Sequence, residues 1–544
     1  MARPTTDTVC AAIAEIAFTR PFVAMADSLR SLWQAIVHAW GQIVHAWGQI
    51  PTEVFVGLYT AWIVFSIVFL LAQRRRPTAT LAWLIGFLSV PLVSVAMYFL
   101  FGPRKLQRRR LKRDLAKTVA SRIADIPRGE TPSTLASRNW LASLANVPVF
   151  LDNSPARASW RVGLLFDGDS TYEAIEAAIA KAESQIHLEY YIFDPDEIGL
   201  RWRDLLAERA RAGVKVRVLL DALGSPRGNE RFWAPLDEAG GEVRLFNPLR
   251  ILRIKPGIMN FRTHRKIVVI DGRIAFTGGI NVTKGNSGSS SGKAAWRDTH
   301  VEIHGPPVLD LQRVFLEDWL YAGRDDSRWA RRDQRIMKTP ADIERWFPDQ
   351  VPPADTPYGD SESIPWVQII DSGPDDHVPL IHRFVFTAIS LARQRCWITT
   401  PYFVPDEPIF TAIVAARNRG VDVRVIIPEE GDSKFVTAAA RTFAEEVAFE
   451  RVAVFEYRGR MIHAKTMVID EALSIVGTAN LDNRSFRLNF EVIAAIYDKA
   501  TNAALGTQFE KDLQMTVPLD PDPQRQGMAR RMLGSAARLF APLL

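Results

Sequence analysis

One pattern of eight residues occurs twice in this chain, and that duplication constrains the fold more than any other feature. His264-Arg-Lys266-Ile-Val-Val-Ile-Asp271 recurs as His463-Ala-Lys465-Thr-Met-Val-Ile-Asp470. In each copy four mostly apolar or β-branched residues separate a His-x-Lys pair from an Asp, the composition of a buried strand entering a turn. Side chains alternate across a strand, so His264 and Lys266 share a face, as do His463 and Lys465. A lone His-x-Lys is weak, because many half-exposed strands hold one of each. Here both copies are followed by matching tails, Thr277-Gly278-Gly279-Ile-Asn281 and Gly477-Thr478-Ala-Asn480. Glycine lets backbone amides approach an anion, and Asn and Thr add neutral donors. The grouping reads as a phosphate cradle with two histidines.

The segments around the motifs repeat as well. Ala174 to Ser184 reads as a helix, Ile186 to Phe193 as a strand, Trp202 to Ala212 as a helix and Val214 to Asp221 as a strand, with Gly213 where a helix C-cap is wanted. The second half repeats this with a strand from Trp397 to Phe403, a helix ending at Gly420 and a strand from Val421 to Pro428. At 544 residues the chain exceeds what one hydrophobic core serves. We therefore expect an α/β fold of two tandem units, 150–338 and 366–520, joined by a Pro-rich linker, 339–365. Lys284 to Lys293, all small and polar between its two lysines, reads as a flexible loop, either gating access or solvated slack.

Ahead of these units, Val54 to Ala72 and Leu81 to Phe101 are uncharged runs long enough to cross a bilayer. They predict a pair of transmembrane helices over 53–102, flanked by Arg74 to Arg76 and by a larger basic cluster, Arg104 to Arg110, that opens a juxtamembrane linker, 103–149. If both runs span, the two clusters fall on opposite faces. The larger cluster and the short connecting loop place the catalytic region on the cytoplasmic side, whereas a re-entrant hairpin would satisfy both. Residues 1–52 contain a direct heptad duplication, Ile36 to Gln42 and Ile43 to Gln49, either an interfacial helix or a tandem copy without a role. Residues 521–544 include an amphipathic helix from Met528 to Leu544. Cys10 and Cys396 form neither a ligand spacing nor a disulfide framework, and the net charge of +6 is modest but locally concentrated.

Together with Glu189-Tyr-Tyr-Ile-Phe193, Trp296-Arg-Asp-Thr-His300, Thr400-Pro-Tyr-Phe-Val-Pro-Asp-Glu407 and Asn480-Leu-Asp-Asn-Arg-Ser-Phe486, the paired motif resembles the phospholipase D superfamily and its bacterial cardiolipin synthase branch. The resemblance runs from about Val54 to the C-terminus. It implies two phospholipase D-like units about a pseudo-twofold axis and a covalent phosphohistidine route, with His264, Lys266, Asp271, His463, Lys465 and Asp470 as the motif residues of the site. By analogy His264 is the nucleophile and His463 the acid; the residues alone do not distinguish them. Lys266, Lys465, Asn281 and Asn480 would neutralise and orient the phosphate oxygens, so no metal or other cofactor is called for. Asp271 and Asp470 fall on the opposite strand face from their histidines and are expected to fix the hairpin. Glu302 and Glu491, each about a strand beyond the motif, either orient an imidazole or form a surface ion pair. His300 and His304 share a strand face but stand about 13 Å apart, too far for one ion.

The activity implied is that of a membrane phosphatidyltransferase converting two phosphatidylglycerol molecules into cardiolipin and glycerol. A hydrolytic phospholipase D would use the same site. A nucleic-acid phosphodiesterase is disfavoured, because the basic clusters adjoin the apolar runs instead of lining a groove, so no nucleic-acid partner is expected. A non-enzymatic scaffold would be expected to have lost a motif residue, and both motifs are complete.

Overall fold

The protein is described from a computed structural model, which covers residues 51–72, most of 77–98, and, apart from single positions, 139–226, 230–248, 261–322 and 364–520. The heptad duplication, both basic clusters, most of the Pro-rich linker and the C-terminal amphipathic segment lie outside the described residues. The chain divides into two compact units, Met1–Phe101 and Gly102–Leu544.

In the first unit, α1 (Thr52–Leu71) and α2 (Pro77–Ser89) pack as a hairpin. Leu70, Phe87 and Tyr98 form its buried seam, and Trp62 Nε1 donates to the Phe87 carbonyl at 3.0 Å. Helix α2 stops just short of Pro91, whose ring cannot continue a helical ladder. Among the described residues no helix is long and apolar enough to cross a membrane, so the fold by itself does not establish the expected transmembrane pair.

The second unit opens with α3 (Asn139–Phe150), β1 (Arg157–Ala158) and β2 (Arg161–Leu165). Then come α4 (Gly168–Ala180), β3 (Gln185–Tyr190), α5 (Glu197–Arg211), β4 (Lys215–Asp221), α6 (Glu230–Glu238) and β5 (Glu242–Phe246). The first half ends with β6 (Arg262–Thr263), β7 (Ile267–Ile270), β8 (Ile274–Gly278), β9 (His300–His304) and α7 (Pro307–Ala322). The second half begins with β10 (Trp366–Ser372), α8 (Leu380–Leu391), β11 (Arg395–Thr399), β12 (Phe403–Val404), α9 (Glu407–Asn418) and β13 (Asp422–Pro428). It continues with α10 (Lys434–Phe449), β14 (Ala453–Tyr457), β15 (Thr466–Ile469), β16 (Leu473–Gly477) and β17 (Leu481–Asp482). Helix α11 (Asn483–Arg487), β18 (Asn489–Tyr497), α12 (Lys499–Leu513) and β19 (Thr516–Pro518) complete it.

The first sheet runs β2-β9-β8-β7-β3-β4-β5, and the second contains β10-β18-β16-β15-β11-β13-β14 in the corresponding order. In both, the strand after the His-x-Lys pair lies antiparallel to its neighbours, while the three strands beyond it are parallel to one another. Gly213 and Gly420, at φ of +94° and +88°, end the equivalent helices α5 and α9 in the left-handed conformation that glycine adopts without strain.

Alternation along the motif strands builds the core. Val268 and Ile270 face the helices of their own half, whereas Ile267 and Val269 join Val468, Val476, Val492 and Ala494 between the two sheets. The two sheets therefore pack face to face, with α7 and α12 adding Leu311, Val314, Leu505 and Phe509 to the layer between them. Each fully buried Val or Ile there contributes about 1.5–3 kcal/mol. The halves also exchange backbone: β1 adds to the edge of the second sheet and β6 pairs with the start of β18. Helix α3, within the stretch read from sequence as a juxtamembrane linker, contributes Leu141 and Leu144 to the core of the second half.

Candidate active site

The motif histidines stand where the two sheets meet, and each is held by backbone from the other half. His264 N donates to the Phe490 carbonyl at 2.9 Å, and His463 N donates to the Arg297 carbonyl at 2.7 Å. The side chains follow the same exchange. His264 Nδ1 lies 3.0 Å from both carboxylate oxygens of Glu491, and His463 Nδ1 lies 2.6 Å from Asp298 Oδ2. Glu491 and Asp298 are both buried and held below the usual carboxylate range: burial opposes this, but nearby cations and hydrogen bonds outweigh it. An ionised carboxylate only accepts, so each Nδ1 carries the proton and each Nε2 is left with its lone pair.

Glu302 belongs elsewhere. It accepts from His304 Nε2 at 2.6 Å and orients neither motif histidine, so for this residue the surface ion pair is what the structure contains. The register gives the reason: Gly278 pairs with His300 and Gly477 with Ile493, and two residues back from each partner lie Asp298 and Glu491. Glycine at 279 serves Asp298, since a Cβ there would stand 2.0 Å from Asp298 Oδ1. The corresponding Thr478 instead donates its hydroxyl to Glu491 Oε2 at 2.5 Å. The Gly-Gly tail thus makes room for a carboxylate, where the sequence suggested an amide cradle.

Beneath the histidines lie the two lysines, both buried. Lys266 Nζ donates to the His264 carbonyl at 2.8 Å, while Lys465 Nζ lies 2.9 and 3.0 Å from the two ring nitrogens of His463. Burial first and mutual repulsion second bring Lys266 down to about 7; burial, offset in part by Asp298 and Glu491, brings Lys465 to about 8. Burial and then Lys465 push His463 down to about 4, and burial lowers His264 as well. Four basic groups crowded so closely hold protons poorly, and a phosphodiester anion among them would reverse that.

Asp271 and Asp470 sit at the far ends of the motif strands with φ of +53° and +50°. Asp271 accepts from the backbone N–H groups of Glu183, Ser184 and Gln185, and Asp470 from those of Arg393, Gln394 and Arg395. Both tie a loop to the sheet and neither lines the cavity that the two histidines share. Arg265, which sequence reasoning passed over, is fully buried; it pairs with Asp318 and Asp371, from opposite halves, and its Nε donates to the Glu491 carbonyl at 3.2 Å.

His264, His463, Asn281 and Asn480 line one cavity of about 340 Å³, with Tyr191, Arg262, Trp296, Tyr402 and Asp432 among its other walls. The Trp296 ring lies 5.0 Å from the His463 ring, and the Tyr191 ring 5.2 Å from that of His264. The polar stretch after Asn281 is not slack. It forms helical turns pinned by Asp169, which accepts from Ser287 Oγ at 2.6 Å and Ser289 N at 2.8 Å, and by Asp196, which accepts from Lys284 N at 2.6 Å.

Two carboxylate-held imidazoles facing one cavity above buried cations, contributed by the halves of a doubled α/β unit, define a phosphodiester-processing enzyme. The chain belongs to the family described as cardiolipin synthase, phospholipase D-like domain, which matches residues 175–319 and 385–513. Residues 59–103 match the phospholipase D-nuclease N-terminal family. A cardiolipin synthase of Geobacillus kaustophilus is 35% identical over 495 residues, covering 90% of this chain and 94% of that one. Cardiolipin synthase 1 of Bacillus cereus is 33% identical over 496 residues with the same coverage. The crystal structure of a phosphatidylserine synthase from Haemophilus influenzae Rd KW20 shares the fold, with a TM-score of 0.55 over 74% of this chain and 100% of that one at 15% identity.

Proposed function

We infer that the protein is a cardiolipin synthase, transferring a phosphatidyl group from one phosphatidylglycerol to the terminal hydroxyl of another and releasing glycerol. The observation that carries the reading is the pair of cross-braced dyads, His264–Glu491 and His463–Asp298, facing one cavity over Lys266 and Lys465. Binding of the phosphodiester anion raises the basicity of His463, which takes a proton on Nε2 from Lys465 at 3.0 Å. In the first step His264 Nε2 then attacks phosphorus, the bond to the glycerol oxygen breaks, and His463 Nε2 gives that oxygen its proton. In the second step the acceptor hydroxyl passes its proton to His463 as its oxygen displaces His264. Lys465, against the His463 ring, favours His463 for the proton-handling role, since it can answer each change of charge there. Asn281 and Asn480 would orient the phosphate, and the lysines would neutralise it where transition-state charge gathers.

The lipid site would be held at the inner membrane by the α1–α2 hairpin. In support, Val56, Leu58, Phe65, Val68, Leu71, Leu81 and Ile85 are each more than half exposed, an outward apolar surface suited to acyl chains. The basic cluster from Arg104 to Arg110 favours a cytoplasmic catalytic region.

Analysis of lipids formed by the purified protein from phosphatidylglycerol alone tests the function. Cardiolipin and glycerol in equal amounts are expected; phosphatidic acid as the main product would make the enzyme a hydrolase.

A further inference from the structure

The reaction centre is symmetric, one His, one Lys, one Asn and one carboxylate from each half, and that set is sufficient for a single phosphodiester. The cavity around it is not symmetric. Arg484 lines one wall, and the position equivalent to it, four residues beyond Asn281 as Arg484 is beyond Asn480, is Gly285. Arg484 is half-buried, and its guanidinium makes no hydrogen bond or ion pair with a described residue. The carboxylates nearby are engaged elsewhere: Asp482 caps α11 by accepting from Ser485 N at 2.6 Å, and Asp432 bonds to Tyr402. A guanidinium with no partner among the described residues, at the edge of a cavity, is a ready site for phosphate, which it can bind through two parallel N–H groups.

A second observation points to a ligand with hydroxyl groups. Asn489 is 6% exposed and lines the same cavity; its Nδ2 donates to Glu491 Oε1 at 3.2 Å, which turns its Oδ1 the other way. Among the described residues that oxygen has no hydrogen-bond partner. A buried acceptor without a donor is costly unless a ligand supplies one. Arg262 also lines the cavity but is paired with Asp221, so one cation and one acceptor outside the symmetric set, neither with a partner among the described residues, match a glycerol carrying its own phosphate.

We propose that Arg484 binds the phosphate of the acceptor lipid, placing that lipid's free hydroxyl, a glycerol's length away, at the phosphorus held on His264. This rests on the cardiolipin synthase reading and adds to it how the enzyme prefers a lipid acceptor over water or a small alcohol. The step balances without any further reagent: the acceptor oxygen–phosphorus bond forms, the bond from His264 Nε2 to phosphorus breaks, and the hydroxyl proton moves to His463 Nε2.

The test is a competition in one vessel. Full-length enzyme acts on vesicles of phosphatidylglycerol in the presence of labelled glycerol, and two products are counted: cardiolipin, whose acceptor carries a phosphate, and labelled phosphatidylglycerol, whose acceptor does not. Their ratio does not depend on how much protein is folded. In Arg484→Gln the ratio of cardiolipin to exchanged glycerol should fall about ten- to a hundredfold, the loss of one charge-assisted contact; Arg484→Lys should recover part of it. An unchanged ratio overturns the proposal, and so does loss of both reactions in step, which would put Arg484 on the donor or on the fold. Wild-type enzyme that exchanges glycerol yet forms no cardiolipin would instead sink the reading on which the proposal rests.

Discussion

Lys266 is fully buried, and its pKa is brought from 10.5 to about 7, chiefly by burial and by Lys465. An unfolded chain keeps that proton up to about pH 10.5, so between pH 7 and 10.5 the unfolded state binds more protons and stability rises with pH. The cost of burying the ammonium is therefore full below pH 7 and gone above 10.5. At 1.36 kcal/mol per pKa unit it is about 5 kcal/mol. Lys266→Met removes this cost but leaves the His264 carbonyl without its donor, a loss of about 1 kcal/mol or more. The variant should thus be more stable than the parent at pH 6 by roughly 2–4 kcal/mol, which raises Tm by several degrees, while turnover falls at least about a hundredfold. Thermal unfolding of both proteins in the same detergent, from pH 6 to pH 10, is the assay. The gap should close as pH rises. A variant less stable than the parent at pH 6, or a gap that does not change with pH, would refute the idea that stability is given up here to hold a cation ready for phosphate.

The same groups set the pH profile. kcat/KM for phosphatidylglycerol should fall as pH rises through about 7 to 8, where Lys266 and Lys465 lose their protons, and should hold on the acid side until below the ordinary histidine range, because His264 is depressed; initial rates in mixed micelles measure both limbs. Asp298→Asn should reduce kcat about a hundredfold or more by leaving His463 wrongly oriented, whereas Glu302→Gln, remote from both dyads, should stay within about twofold; equal effects would reinstate Glu302. Deleting residues 54–101 should leave a protein that salt releases from membranes, and retention through high salt and carbonate would exclude the α1–α2 hairpin as the main anchor.

Much of the second unit was legible because its signal is local. The apolar runs after His264 and His463 and the helix-ending Gly213 and Gly420 depend on residues a few positions apart, and so does the reading of Asp271 and Asp470 as turn residues. The partner of each histidine is not local. Asp298 comes 17 positions after Asn281, but Glu491 only 11 after Asn480, because the first half inserts its serine-rich turns there. Matching glutamate with glutamate across halves therefore led to Glu302. The chemistry matches instead an aspartate with a glutamate, each at the point where its strand reaches the opposite half. The word Trp296-Arg-Asp-Thr-His300 carried the answer, but only strand register identifies its Asp as the counterpart of Glu491. The reading of 284–293 as slack failed for a related reason: the carboxylates that order it, Asp169 and Asp196, belong to helix N-termini far upstream. The exchange of β1 and β6 between halves also left no mark in composition.

One phosphodiester is expected to pass through His264 while His463 moves the proton. The direct measurement is to quench the enzyme during turnover of phosphatidylglycerol at alkaline pH, where phosphohistidine survives, and to map the modified peptide by mass spectrometry. His463→Ala supplied with a phosphatidyl ester of p-nitrophenol, whose leaving group needs no proton, should accumulate the same adduct. A phosphatidyl group should be found on His264 in both experiments and none in His264→Ala. An adduct on His463, or turnover by His264→Ala, would contradict that division of roles.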